Sequence, residues 1–414
     1  MKRSCIAPQG VRTCLRGGVI AGVCTTLAAA QALITAPGPY GIVRLHNTDA
    51  AVLELQELRK DLPCIVSPVK ALLGFDLRFH AGYEVSIPLR ELEGSENLLT
   101  IIFRVTPENH RDEPAYFSQR IRVPPIEEDA KGDAYLQGAF DLGEGEYHVD
   151  WLMRDRSERI CSFYWDVEAT LPAKDKNIDL VVPPSSALAS ETEPFKEEPP
   201  VERSQTVAPL NVKVLINFAP QNSHSAALQP LDMSALVSIL RTISREPRIR
   251  KFSLIAFNLQ EQRVFYRQDN ADRIDFPALG EALQSLNLGT VDLKRLSQRN
   301  GETQFLSDLL RSEISGAQPD ALIFAGPKAM LGENIPAEEL RRLGPLDYPV
   351  FYMNYNLSPQ ATPWRDAIGA AVKFLRGTEY TISRPRDLWH AVTEMVSRIV
   401  KSKSERRTVA ASAR

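Results

Sequence analysis

Few side chains in this sequence combine the types and spacing that chemistry needs. Ser223-His224-Ser225 sets two hydroxyls beside a base. Nucleophilic catalysis needs that base within hydrogen-bond reach and a third group to orient it. Neighbours on one loop rarely meet that geometry, and no glycine-bounded elbow flanks them. His148 and Asp150 are two residues apart, so on a strand they share a face; they read as an outward, solvated pair. The six histidines (His46, His80, His110, His148, His224 and His390) show no metal-ligand spacing. A Walker loop, a Gly-x-Gly-x-x-Gly turn and a Cys-x-x-Cys pair are all absent from the sequence. No catalytic residues are assigned and no cofactor is expected.

The five cysteines divide unevenly. Cys5, Cys14 and Cys24 fall near the N-terminus, leaving Cys64 and Cys161 in the body of the chain. A bridge between these two closes a loop of about 100 residues, worth up to ~4.7 kcal/mol if it acts by chain entropy. The competing reading is two buried thiols, because Cys161 alternates with Phe163 and Trp165 on one strand face. Both readings stand at this level.

The N-terminus has a secretory layout. Lys2, Arg3, Arg12 and Arg16 precede any acid, an apolar run from Val19 to Ala30 follows, and Ala30-Gln31-Ala32 offers a small-x-small cleavage site. Residues 1–32 are therefore expected to be a signal peptide; retention as an anchor is the alternative. The mature chain is expected in the periplasm or outside the cell, with no membrane span. A net charge of −3 gives no basic face for nucleic acid.

The elements that would position these groups come in two styles. After a short strand at Gly41–Leu45 and helical spacing over Ala50–Lys60, residues 74–168 alternate in strand fashion. Phe75, Leu77 and Phe79 share one phase; Tyr83, Val85 and Ile87 share another; Tyr147, Val149, Trp151 and Met153 share a third. About seven short strands in roughly 100 residues suggest an immunoglobulin-like sandwich spanning 41–172. Tyr83, Tyr147, Trp151 and Trp165 could form a sugar-stacking platform, but their alternation fits core packing better. Residues 183–209 hold many of the 29 prolines and five glutamates. Proline blocks both helix and sheet, so this stretch reads as a solvated linker.

From 210 to 402, apolar strands alternate with amphipathic helices, which argues for a mostly parallel sheet covered on both faces. Val212–Phe218, Phe252–Phe257, Asp320–Phe324 and Pro349–Met353 are the strands; Leu236, Ile239, Leu240 and Ile243 mark one helix stripe. Residues 403–414 read as a disordered basic tail.

This order resembles the von Willebrand factor A family, on three segments. They are Val212-Lys-Val-Leu-Ile-Asn217, Asn300-Gly-Glu-Thr-Gln-Phe-Leu-Ser-Asp-Leu-Leu310 and Gly377-Thr-Glu-Tyr-Thr-Ile-Ser-Arg-Pro-Arg-Asp-Leu-Trp389. The resemblance implies a Rossmann-type, doubly wound α/β domain with a metal at the C-terminal ends of its central strands. Its carboxylates are missing here: Asn217, Ala219 and Gln221 fall on the first loop, Ala325 on the second aspartate, and only Thr303 matches. A shifted alignment supplies Ser223 and Ser225 as residual hydroxyl ligands. The metal site thus reads as degenerate, and no metal is expected.

The expected fold class is an all-β sandwich followed by a doubly wound α/β domain. The expected function is an exported, non-enzymatic protein that binds an envelope or extracellular protein. The alternatives are Mg²⁺-dependent adhesion through the residual site and carbohydrate binding by the sandwich.

Overall fold

The computed structural model describes residues 33–39, 41–191, 193–205, 208–222, 225, 227–286, 300–316, 318–331, 333–357 and 366–412. The proposed leader and Ser223-His224 lie outside them.

The first half is an antiparallel sandwich, built as its alternation requires. One sheet runs β10(Ala187–Ala189)-β7(Asp133–Leu142)-β4(Phe79–Pro88)-β3(Ile65–Leu73); the other runs β6(Ala115–Val123)-β5(Asn97–Pro107)-β8(Gly145–Arg154)-β9(Ile160–Ala169). Between them lie Phe79, Tyr83, Val85 and Ile87 of β4, Leu99, Ile101 and Phe103 of β5, and Tyr147, Val149, Trp151 and Met153 of β8. Tyr83 packs edge-on against both Phe103 and Trp151. Burying each such aromatic side chain contributes about 1.5–3 kcal/mol. Tyr83, Tyr147 and Trp151 are fully buried, so they form core and not a sugar platform.

The outer face of the second sheet is also covered. The hairpin β1(Leu33–Gly38)–β2(Gly41–His46) and the helix α1(Asn47–Leu55) close over Ile102, Leu152 and Ile160. The helix is shorter than its periodicity suggests, because Gln56 takes a left-handed φ of 52° and ends it. The strand phase at Phe75 and Leu77 also fails. Residues 74–78 make a tight turn with Leu77 at φ 61°, closed by Gly74 N–H to Arg78 O at 2.8 Å. Apolar alternation there comes from turn side chains folding inward, not from a strand.

Cys64 and Cys161 form a disulfide across 97 residues, which decides the alternative left open above. It ties the entry to β3 to the start of β9.

The second half holds a six-stranded sheet in the order β13(Arg263–Ala271)-β12(Ile249–Asn258)-β11(Leu210–Asn217)-β14(Ala321–Pro327)-β15(Val350–Tyr355)-β16(Thr378–Ile382). All pairs are parallel except β12–β13. On one face Val212, Val214, Ile216, Leu254 and Ile323 pack on α2(Pro230–Arg245), α3(Phe276–Leu283) and α7(Pro385–Ser412). On the other, Leu215, Ile255, Phe257 and Phe324 meet α4(Gly301–Ile314), α5(Ala337–Arg342) and α6(Ala367–Phe374).

The expected fold class needs correction. Among the described residues the chain is predominantly sheet: sixteen strands in four sheets, three of them wholly antiparallel. Apart from α2, α4 and α7, no described helix exceeds nine residues. The chain is mainly β with one mixed, helix-flanked sheet, and not a sandwich joined to a doubly wound von Willebrand-type domain. Periodicity identifies each element by its own burial, but class depends on how all the elements share out the chain.

Two further expectations change. The proline- and glutamate-rich segment is not a free spacer. Its β10 pairs with β7, Phe195 packs on α3 at Gly280, and Glu198 pairs with Arg241 and Arg245 of α2 at 2.8 and 2.7 Å. Glu191 reaches both Arg78 of the sandwich turn and Arg241, at 3.5 Å each. Proline forbids regular structure but leaves these side chains free to dock. The basic tail is not disordered either: α7 continues to Ser412, with Lys403 2.5 Å and Arg406 3.4 Å from Asp320.

Candidate functional site

The loops at the C-terminal ends of the central strands are tied to the protein itself. Asn217 ends β11 and its Oδ1 accepts from Leu259 N–H at 3.2 Å. Ala325 lies beside Ile216 in the β11–β14 ladder. The next residue, Gly326, has φ 140°, and a Cβ there would come 2.9 Å from Asn217 Cβ. The two strand ends therefore touch through backbone. The Ala219 carbonyl accepts the Tyr355 hydroxyl at 2.9 Å. Gln221 is fixed at three points: its N–H donates to Asp232 Oδ1 (3.3 Å), its Nε2 donates to Asn356 Oδ1 (2.9 Å), and its Oε1 accepts from Leu357 N–H (2.8 Å).

The structure thus gathers Ala219 and Gln221 around Asp232, a buried carboxylate in the first turn of α2. Asp232 also takes Gln229 N–H at 3.1 Å, so it serves the start of the helix. Thr303 belongs elsewhere, donating to Glu333 O at 2.8 Å. Ser225 donates to Ala227 O at 2.7 Å. Ser223 lies outside the described residues. The Thr303 and Ser225 hydroxyls thus each donate to a carbonyl of their own surroundings, and Asp308 remains on an exposed helix face beside Arg311.

His148 and Asp150 do share a face, but only the His148 side of it meets solvent. Asp150 is buried under α1 and binds Arg104 Nε at 2.8 Å and Gln56 Nε2 at 2.8 Å. His148 spans Asp166 (2.6 Å) and Asp150 (3.3 Å).

A third cluster was not legible in the sequence. His80 on β4 stands directly opposite Asp141 on β7. Its Nδ1 lies 2.8 Å from Asp141 Oδ1, and its Nε2 lies 2.9 Å from Asp76 Oδ1. Arg78 donates to Asp141 Oδ2 at 3.1 Å and lies 3.9 Å from Asp76 Oδ2. The 74–78 turn is what brings Asp76 back over β4. Hydrogen bonds to Asp141 and then to Asp76 push His80 up to about 10, against its own burial. Burial alone would raise Asp76, but His80 and Arg78 outweigh it and hold that carboxyl below its usual range. Protonated His80 thus donates from both ring nitrogens, Nδ1–H to Asp141 and Nε2–H to Asp76, and holds the two carboxylates together. The same donors, one imidazole nitrogen and two carboxylate oxygens, are those of a divalent-metal site.

No protein-family model matches the chain, and no curated protein matches it. Among solved structures, similar chains include a glycosyl hydrolase family 2 member from Bacteroides cellulosilyticus, at 10% identity and a TM-score of 0.18. The match covers 76% of this chain and 38% of that one. A Bacteroides uniformis β-glucuronidase gives 10% identity, the same coverages and a TM-score of 0.19. A Paenibacillus cycloisomaltooligosaccharide glucanotransferase gives 8% identity over 70% of this chain and 44% of its own, at 0.17. This chain therefore spans less than half of the length of each of those proteins. The neighbours are carbohydrate-active enzymes, but likeness at this level carries no inference about chemistry here.

The signal that could have pointed to the third cluster is Asp76-x-x-x-His80, an acid four residues before a histidine across a glycine-led turn. The apolar phase of Phe75, Leu77 and Phe79 concealed it by suggesting an unbroken strand.

Proposed function

We propose that this chain is a non-catalytic binding protein, exported to an oxidising compartment, that recognises a protein partner. One observation carries the reading. β3 lies at the edge of its sheet and pairs only with β4, while Ile65 and Leu72 are 68% and 69% exposed and Val69 is 40% exposed. An edge strand presents unpaired backbone groups, and an apolar row along it costs solubility unless something covers it. The occupant that fits is an extended segment of another protein, added as a fifth strand; its backbone would supply affinity and its alternate side chains would supply specificity. Export is supported by the leader-like N-terminus and by the Cys64–Cys161 bridge, which favours a compartment outside the reducing cytosol. No helix among the described residues is long and apolar enough to cross a membrane.

The test uses immobilised mature protein, EDTA and native envelope extract, with Ile65→Glu/Leu72→Glu as the comparison. The expected result is a protein retained by the wild type, lost from the double variant, and kept by Ile42→Glu on the far hairpin. Equal retention by all three proteins, or none by the wild type, ends the reading.

A further inference from the structure

We infer that Asp76, His80 and Asp141 form a binding site for a borderline transition-metal dication such as Zn²⁺, Ni²⁺ or Co²⁺. It adjoins the proposed partner surface, since His80 stands opposite Leu72 in the β3–β4 ladder, but it rests on different side chains. The three side chains come from a turn and two paired strands, so the disulfide-braced sandwich sets their positions. One ligand atom from each lies within 4.8 Å of the others.

Metal bonds of ~2.0–2.2 Å to nitrogen and oxygen allow ligand atoms at most about 4.3 Å apart, and because Asp141 Oδ1 faces Nδ1 while Asp76 Oδ1 faces Nε2, Asp76 must swing toward the ring edge that Asp141 holds. The site can make that move. Asp76 sits in a short turn with its carboxylate 20% exposed, and the His80 ring is 39% exposed and reachable from solvent. Asp141 is the fixed member, at 1%.

The surroundings suit a ligand set. Arg78 holds the second oxygen of Asp141 and faces that of Asp76, leaving each Oδ1 turned toward His80. Outer groups of this kind orient metal ligands. Gly74 keeps the ring's outer side open: a Cβ there would come 2.4 Å from His80 Nε2 and 2.6 Å from Asp76 Oδ1. The residue types choose the metal. Ca²⁺ needs six to eight oxygens and Mg²⁺ a near-complete oxygen octahedron. One imidazole with two carboxylates and open positions for water suits Zn²⁺, Co²⁺ or Ni²⁺. The ion replaces the proton on the one ring nitrogen it binds, which leaves to solvent, while the other ring N–H is kept. The Arg78 charge tempers affinity, so binding is expected to be reversible by chelator.

The experiment titrates Zn²⁺ and Ni²⁺ into EDTA-stripped full-length protein by calorimetry, with thermal melting in parallel. Wild type should bind one ion and melt at higher temperature with it. His80→Ala and Asp76→Asn should each weaken binding by more than the ~10–100-fold typical of outer-shell changes. His148→Ala, at the other Asp-flanked histidine, should bind as wild type does. Asp76→Asn keeps the test decisive if His80→Ala fails to fold, since it alters only a turn side chain. The inference falls if wild type shows neither heat nor a melting shift, if both cluster variants bind as wild type does, or if His148→Ala abolishes binding. Ca²⁺ or Mg²⁺ binding in place of Zn²⁺ also overturns it.

Discussion

The Tyr355 hydroxyl, at the end of β15, lies 3.2 Å from Asp232 Oδ1 at the start of α2, 123 residues earlier in the chain. It also donates to Ala219 O at 2.9 Å, with the whole side chain buried. Burial raises the Tyr355 hydroxyl far above its usual range, and the Asp232 charge adds to the effect. This contact closes the loop where the von Willebrand resemblance placed a metal. Tyr355→Phe should cost about 1 kcal/mol, the net value of one buried hydrogen bond. Asp232→Ala should cost more, ~2–4 kcal/mol, because it strips the helix start and leaves the Gln221 and Gln229 N–H donors without an acceptor. Urea unfolding of both variants measures the order; equal losses would mean that Asp232 matters only through Tyr355.

Glu313 on α4 is buried between two cations. Lys213 Nζ donates to its Oε2 at 3.2 Å, and Arg267 of β13 binds its Oε1. Burial would raise the Glu313 carboxyl, but Arg267 and then Lys213 outweigh it and lower it. A lowered folded value means that this stability is present above the unfolded value, near 4.5, and is lost as pH falls through the folded one. Glu313→Gln leaves the buried Lys213 charge without a carboxylate, while Arg267 keeps Asp269 at 3.8 Å, and should cost about 3 kcal/mol at pH 7. Stability curves of both proteins should draw together as pH falls from 4.5 through the lowered folded value. A gap that stays constant down to pH 3 would contradict this.

The bridge between Cys64 and Cys161 spans 97 residues of the sandwich. Its removal by Cys64→Ser/Cys161→Ser should cost about 2–5 kcal/mol. Non-reducing peptide mapping identifies the bond, and melting with and without reductant measures its contribution. A wild type whose melting ignores reductant would count against it.

Gly280 offers a sign test of the docked segment. Glycine to alanine inside an exposed helix normally stabilises by about 1 kcal/mol. Here the new Cβ of Gly280→Ala would meet Phe195 Cβ at 2.7 Å, so the substitution should destabilise. In Phe195→Gly/Gly280→Ala the opposing Cβ is gone with the ring and the clash is relieved, so a double-mutant cycle should show a favourable coupling above 0.5 kcal/mol. Simple additivity would mean that residues 183–209 swing free. Limited proteolysis of Glu198→Gln, which loses its ion pairs to Arg241 and Arg245, reads the same docking independently.

The sequence by itself determined what depends on neighbours along the chain. Alternation placed β4 and β8 and their inward faces, because a strand exposes every second side chain to one environment. The stripe Leu236, Ile239, Leu240 and Ile243 placed α2 in the same way. The cysteine spacing reduced the redox question to one pair without deciding it.

Tertiary structure decided everything that depends on residues far apart. The share of sheet in the whole chain, the docking of Glu191 and Glu198, and the burial of Asp150 beneath α1 each need a partner from another element. His80 shows the reason most plainly. Its chemistry depends on Asp141, 61 residues away, and on a turn whose apolar residues mimic a strand. One-dimensional spacing carries no distance across a ladder, so only the folded backbone could bring that imidazole between its two acids.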